Sequence, residues 1–212
     1  MSAVGDYMGE REWAMSEGEH VTLRDGSTVL VRPVRPDDRE LFAKGFERMS
    51  GESRYRRFMA AKKKLSEAEL DFFTRLDHDL HEAIGAIDIA TGEGAGVARM
   101  HRSPGDPAVA EAAVTVVDDW QGRGLGSVLL GRLTERAREL GVQHFEASLF
   151  TTNRAMLHMF ERLGCMRSQR EGLNVLAIDV ALPVGDADEA LSTALRSVAE
   201  GSSEMATSSG GA

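Results

Sequence analysis

Apolar residues recur along this chain in two rhythms that alternate, and each change of rhythm marks an element. Val21 to Val34, "VTLRDGSTVLVRPV", holds two alternating β-branched runs divided by Asp25-Gly26, which predicts a β-hairpin. After Pro36 the spacing becomes helical: Leu41, Phe42, Phe46 and Met49 fall on one face, with acids in the first turn. Ser66 to Glu69 has capping-box spacing and predicts a second helix through Leu76, with Leu70, Phe73 and Leu76 facing a core. Three strand candidates follow, "EAIGAIDIA", "AGVARMH" and "AVAEAAVTVV", separated by the turn-forming "TGEG" and "SPGDP". Their close order predicts an antiparallel meander.

Beyond residue 124 the pattern turns to helix, strand, helix, strand. Val128, Leu129, Leu133, Ala137 and Leu140 keep helical spacing up to a stop at Gly141. "VQHFEASLF" alternates as a strand, "NRAMLHMFERLG" reads as a helix ended by Gly164, and "LNVLAIDVAL" supplies a last strand. The expected fold is therefore α/β (α+β) over residues 21–183, with a central mixed sheet of six to seven strands, antiparallel in its first half, and about four helices. Residues 1–20 read as an acidic extension. Residues 184–212 shift to Ala, Ser, Gly and acids, with a short amphipathic helix through Leu191, Leu195 and Val198.

Charge narrows the classes of function. The chain has 212 residues and a formal charge of −9, concentrated at its ends. Asp6, Glu10, Glu12, Glu17 and Glu19 stand against one arginine in the first twenty residues, and five acids stand against Arg196 after residue 183. The nearly neutral body argues against nucleic-acid binding, which needs a basic surface to displace counterions. "RYRRF" (Arg54 to Phe58) and "KKK" (Lys62 to Lys64) read as solvated charge. No apolar run approaches the length of a membrane span, and the residues before His20 lack the form of a secretion leader. A single cysteine, Cys165, forms no internal disulfide, which fits a reducing compartment; the cytoplasm is the expected location.

The candidate chemistry lies in "VTVVDDWQGRGLGSVLL", where a strand runs into glycines at 122, 124 and 126 and then a helix. Alternate glycines expose backbone, and the helix start offers unpaired amides and the positive end of its dipole, so this place suits phosphate. A Walker-type loop is excluded because Gly126 is followed by Ser127 and Val128 rather than Lys-Ser/Thr. A dinucleotide fingerprint stays open, with Glu146 at a distance suited to a ribose, but Ser127 replaces its third glycine and the preceding strands are antiparallel.

"QGRGLGS", Gln121 to Ser127, resembles the acetyl-CoA pyrophosphate loop of the GNAT acetyltransferase superfamily, matched at Gln121, Gly124 and Gly126. "NRAMLHMFERLGC" resembles that superfamily's Asn-initiated helix, and the order of elements follows its fold. "LRDGSTVLVRPVRPDD", "SGESRYRRFM", "LDHDLHEAIGAI" and "GVARMHRSP" narrow the resemblance to the catalytic domain of bacterial Pat-type protein lysine acetyltransferases. Relatives of that type often carry a cyclic-nucleotide-binding or synthetase-like domain, for which 212 residues leave no room.

The resemblance implies acetyl-CoA as cosubstrate, held by Gln121, Gly122, Arg123, Gly124, Leu125, Gly126, Ser127 and Asn153. It implies an oxyanion donor among the backbone amides of Val116 and Val117, and Glu111 as the base. A lysine near neutral pH is protonated, so a base must act before its nitrogen attacks a thioester. Burial of Glu111 among Ala110, Ala112, Ala113 and Val114 would raise its pKa. Where many relatives have a tyrosine acid this chain has Phe160, so no general acid is assigned; a thiolate leaves without one. Asn153 equally reads as a helix N-cap. Cys165 reads as a small buried hydrophobe, and His78 with His81 as polar surface without the remaining ligands of a metal site. No metal is expected.

The implied function is acetyl transfer from acetyl-CoA to a protein lysine, acyl-CoA synthetases being a candidate target. Two readings compete with it: acetylation of a small-molecule amine, and an acetyl-CoA sensor in which Glu111 is idle.

Overall fold

The computed structural model describes residues 17–183. The extension before residue 17, the tail 184–212 and its expected helix at Leu191 lie outside the described residues. Strands β1 (Glu19–Thr22) and β2 (Thr28–Pro33) form the predicted hairpin, whose turn is held by Asp25 accepting from both the amide and the hydroxyl of Ser27. Helices α1 (Arg39–Arg48), α2 (Gly51–Phe58) and α3 (Glu67–Thr74) follow. The meander is β3 (His81–Asp88), β4 (Gly94–Ser103) and β5 (Asp106–Val116). Helix α4 (Leu125–Glu139), β6 (His144–Phe150), α5 (Arg154–Glu161), β7 (Met166–Arg170) and β8 (Val175–Ala181) complete the domain.

One eight-stranded sheet results, ordered β1-β2-β3-β4-β5-β6-β8-β7. All neighbours are antiparallel except β5 and β6, which α4 joins as a parallel crossover. Strand alternation gives the sheet two different faces. One face sends Ala98, Met100, Ala110, Ala112, Phe145 and Ala147 into a core with Leu125, Leu129, Leu130 and Leu133 of α4. Fully burying each such leucine contributes roughly 1.5–3 kcal/mol. Gly96 lets α4 lie this close: a Cβ there would meet Leu129 at 3.1 Å. The other face is covered only in part, by α1, α2 and α3.

The described residues carry eight strands and five α-helices, one strand and one helix more than hydrophobic patterning predicted. Helix α2 was missed because it buries no residue; it is set by caps instead, Ser50 Oγ accepting from the Ser53 amide and Asp118 accepting from the Ser50 amide. Strand β7, "MRSQR", is a polar edge strand, and polarity is how an exposed edge is protected. Helix α3 shows the predicted capping box, with Ser66 and Glu69 exchanging bonds, but ends at Thr74, so Leu76 lies beyond it. Gly164 serves close packing: a Cβ would lie 2.2 Å from the Ala181 carbonyl oxygen of β8.

Two corrections concern the histidines of "LDHDLH". His81 is 8% exposed and accepts a bond from Arg99, and His78 Nδ1 lies 2.9 Å from Glu82 Oε1. Glu82 is fully buried and also accepts from the Ala83 amide at 2.8 Å and from Arg136 Nε of α4 at 3.2 Å. These are interior groups committed to partners, not polar surface. No cluster able to hold a metal occurs among the described residues.

Candidate active site

The only parallel pair in the sheet is short. β5 and β6 align at Val109 with His144, Ala110 with Phe145 and Glu111 with Glu146, and no further. Beyond that point β5 continues to Val116 beside β4, and β6 continues to Phe150 beside β8, so the two strands part and a cleft opens between them. The Val117 amide donates to the carbonyl of Ala95, near the start of β4, at 3.0 Å. Backbone direction alternates along a strand, so the amides of Ala112, Val114 and Val116 face the cleft instead. Of the two amides expected to serve as oxyanion donor, Val117 is therefore already spent and Val116 is free to act.

The glycine loop closes one end of this cleft. A short 3-10 turn, Asp118–Trp120, brings the chain to Gly122 and Gly124, whose φ values of +77° and +93° are ones that side chains disfavour. Gly124 is the N-cap of α4. From Gly122 to Gly126, five successive amides donate to no carbonyl of the described residues, and the first later bond is from Ser127 to the Gly124 carbonyl at 3.0 Å. Such a run of amides on the positive end of a fifteen-residue helix is a seat for a phosphate. Gly126 keeps that seat open, because a Cβ there would stand 3.0 Å from Met159 Sδ of α5. The loop thus fits the pyrophosphate of a CoA thioester.

The side chains around the loop have more local tasks than the sequence implied. Gln121 Nε2 donates to the Val116 carbonyl at 3.1 Å and to Ser53 Oγ of α2 at 3.3 Å, tying loop, strand and helix together. Arg123 is turned back, donating to Asp25 at 2.8 Å and to the Asp119 carbonyl, with its guanidinium over the Trp120 ring. It braces the loop against the first hairpin rather than standing free for a phosphate. Leu125 is 1% exposed, so only its backbone can face a ligand. Asn153 caps α5 by accepting from the Met156 amide at 3.4 Å. Phe160 is buried and offers no acid. Cys165 is exposed, contrary to its reading as a buried hydrophobe, because it lies in the loop between α5 and the edge strand β7.

Glu111 stands at the last paired position, where the cleft begins. Its neighbours Ala110 and Ala112 point into the core at 0% and 3% exposure, so alternation puts Glu111 on the opposite face, where it is exposed. The expected burial is not found: the alanines that surround Glu111 in sequence do not surround it in space. Across the sheet it shares a row with His81, His101 and Glu146, and the next row holds Ala83, Arg99 and Ala113. Arg57 of α2 donates from Nε to Thr115 Oγ1 at 3.0 Å on this same face. Tyr55 of α2 stacks on Phe150 of β6 with ring centroids 5.3 Å apart, bridging the mouth of the cleft. Sequence alone reads Arg57, within "RYRRF", as solvated charge, whereas it is turned inward onto Thr115 and the cavity under α2; it misses Arg99 altogether. The signal available for Arg99 was a charge between the apolar Ala98 and Met100 in a strand.

Comparisons with known proteins agree with this geometry. The model of the acetyltransferase (GNAT) domain matches residues 28–166. Acetyltransferase Pat of Mycolicibacterium smegmatis is 37% identical over 166 residues, which cover 78% of this chain and 49% of that protein. The chain therefore spans about half the length of that relative. An acetyltransferase of Pseudomonas aeruginosa is 34% identical over 168 residues, covering 77% of this chain and 90% of the other. Among solved structures, the GNAT domain of S. lividans PAT superposes with a TM-score of 0.69 at 32% identity, covering 77% of this chain and 96% of that one.

Proposed function

The chain belongs to the GNAT acetyltransferase family, and from that premise we propose that it transfers the acetyl group of acetyl-CoA directly to a lysine amine of a protein, with Glu111 as base. The observation that carries this reading is the exposed position of Glu111 on the partly covered face, at the point where β5 and β6 part, with the glycine loop at the far end of the same strand. The likeness to Pat proteins supports protein lysine as the acceptor class.

In this reading the amides of Gly122 to Gly126 hold the pyrophosphate and acetyl-CoA supplies the thioester. The Val116 amide faces the cleft and stabilises negative charge growing on the thioester oxygen. Glu111 removes the ammonium proton, directly or through a water, before the neutral nitrogen attacks. An exposed carboxylate has the solvent path that lets it pass that proton on. Phe160 leaves the thiolate to depart unassisted.

The test is labelled acetyl transfer to lysines of a cytoplasmic extract, read by mass spectrometry, with Glu111→Gln beside the wild type. Loss of a general base lowers turnover by about a hundredfold or more. Equal labelling by both proteins removes Glu111 from the mechanism. Acetyl-CoA binding without any protein labelling removes protein lysine as the acceptor.

A further inference from the structure

Arg57 and Arg99 both reach the face that Glu111 occupies, and among the described residues neither has a carboxylate bonded to it. Arg57 is anchored through Nε on Thr115. Arg99, 8% exposed, lies over the rings of Phe72 and Phe73 at 4.8 and 4.5 Å and donates one terminal nitrogen to His81. The remaining guanidinium nitrogens are not sealed away without a partner, because both arginines line a cavity of about 90 Å³ between the sheet and α1 to α3. Its other walls are largely apolar, including Leu41, Phe46, Phe58 and Phe73, and the charges of Arg32 and Asp38, which also line it, answer each other in an ion pair at 2.7 Å.

Two like charges held together in a largely apolar pocket are costly unless something answers them. Burial, the Arg57 charge and a weaker opposing pull from Glu111 bring the Arg99 guanidinium down to about 9. Burial also lowers Arg57, again against Glu111. With Asp38 committed to Arg32, the one carboxylate pulling on both Arg57 and Arg99 is the exposed Glu111. The side chains are nonetheless fixed in place, Arg57 by Thr115 and Arg99 by two rings and a histidine, which is the preorganisation a planar anion needs.

We propose that Arg57 and Arg99 form a carboxylate-binding subsite beside Glu111, so that the preferred acceptor carries a carboxylate near its reacting amine. The proposal rests on the reading of this face as the acceptor side. A carboxylate suits the pocket better than a phosphate dianion, which loses more hydration on entering apolar surroundings. Two sources can present it: an Asp or Glu side chain next to an acceptor lysine, or the α-carboxylate of a free amino acid whose apolar side chain enters the cavity.

The experiment measures kcat/KM for matched acceptor pairs. Blocked Gly-Gly-Lys-Gly-Gly peptides carry Glu or Asp at each glycine in turn, each against its Gln or Asn twin, and L-leucine is compared with L-leucinamide. Wild type is expected to favour the acid in at least one pair by about tenfold to a hundredfold, the worth of charge-assisted bonds to a guanidinium. Arg57→Gln and Arg99→Gln are expected to bring that ratio to near unity. The ratio is read within one sample, so partial unfolding cancels.

Wild type treating every pair alike overturns the proposal, as does a preference that survives both substitutions. The two readings fail separately. Even labelling of all peptides, with leucine no better than leucinamide, sinks the subsite and keeps protein lysine, whereas turnover of leucine in preference to leucinamide with no peptide labelling keeps the subsite and sinks protein lysine. A second measurement needs no turnover or variant: the Nε–Hε signals of Arg57 and Arg99 in the wild type, titrated with butyrate and with butyramide. Shifts with butyrate alone support the subsite, and no shift with butyrate overturns it.

Discussion

Acidification should weaken this fold through His81 before most of its carboxylates titrate. The imidazole is 8% exposed, accepts a bond from Arg99, lies 4.5 Å from the Phe72 ring and meets His101 edge-on at 5.3 Å. Burial first, then the Arg99 charge and His101, push it from 6.5 to about 4, against a weaker pull from Asp77. Between those values the unfolded chain binds the proton and the folded one does not, so stability rises with pH there. The contribution is complete above 6.5 and is lost as pH falls toward 4. From pH 7.5 to pH 5 the proton is resisted over about 1.5 pH units, which at 1.36 kcal/mol per unit is about 2 kcal/mol. Urea unfolding followed by circular dichroism at both pH values, in wild type and His81→Gln, isolates this quantity. Glutamine keeps an acceptor for Arg99 but cannot titrate. Wild type should lose about 2 kcal/mol more than the variant on acidification. The same pH dependence in both proteins would refute the assignment.

Gly126→Val places branched carbon where a Cβ already meets Met159 Sδ at 3.0 Å and Val116 Cγ2 at 3.6 Å. It should raise KM for acetyl-CoA about tenfold or more while the unfolding midpoint moves little, because the contact is with the end of the flexible Met159 side chain, which can yield. Glu82→Ala leaves Arg136, 3% exposed, without its buried carboxylate, although Glu139 still binds it at 2.9 Å. The expected cost is about 3 kcal/mol, at the lower end for breaking a buried pair, read by urea unfolding.

The elements with strong periodicity were legible: the hairpin, α1, the meander, α4 and β8 each bury part of the apolar pattern that announced them, Val29 and Val31, Phe46, Ile84 and Met100, Leu129 and Leu133, and Ile178 and Val180 among them. Helix α2 and strand β7 were not, because their stability comes from caps and from sheet pairing, which leave no apolar rhythm in "GESRYRRF" or "MRSQR". The glycine loop was legible for a related reason. Positive φ at Gly122 and Gly124 and the close approach of Met159 at Gly126 are requirements that glycine alone meets, so the need is written in residue type. What surrounds Glu111 was hidden, since Arg57 reaches it from another element and Arg99 from the neighbouring strand. Sequence neighbours of a strand residue lie on the opposite face, which is why Ala110 and Ala112 misled the expectation of burial.

Under the proposed function, the cleft gains its chemistry from hydrogen bonds the sheet does not make. Both strands that line it are paired on their outer edges, β5 with β4 through Val116 and β6 with β8 along its whole length, so parting after Glu111 costs only inner-edge bonds. Those unspent groups are of two kinds, because a strand turns an amide and a carbonyl to the same side. Gln121 makes the loop end different: its side-chain amide covers the Val116 carbonyl at 3.1 Å. The Val116 amide then faces the cleft with its own carbonyl already satisfied. A thioester oxygen gathering negative charge is best placed beside a donor with no bare acceptor next to it, which favours Val116 over Val114. Gln121 therefore acts through the strand as well as through the loop, and its bond to Ser53 carries the same fixation to α2, the helix that also holds Arg57.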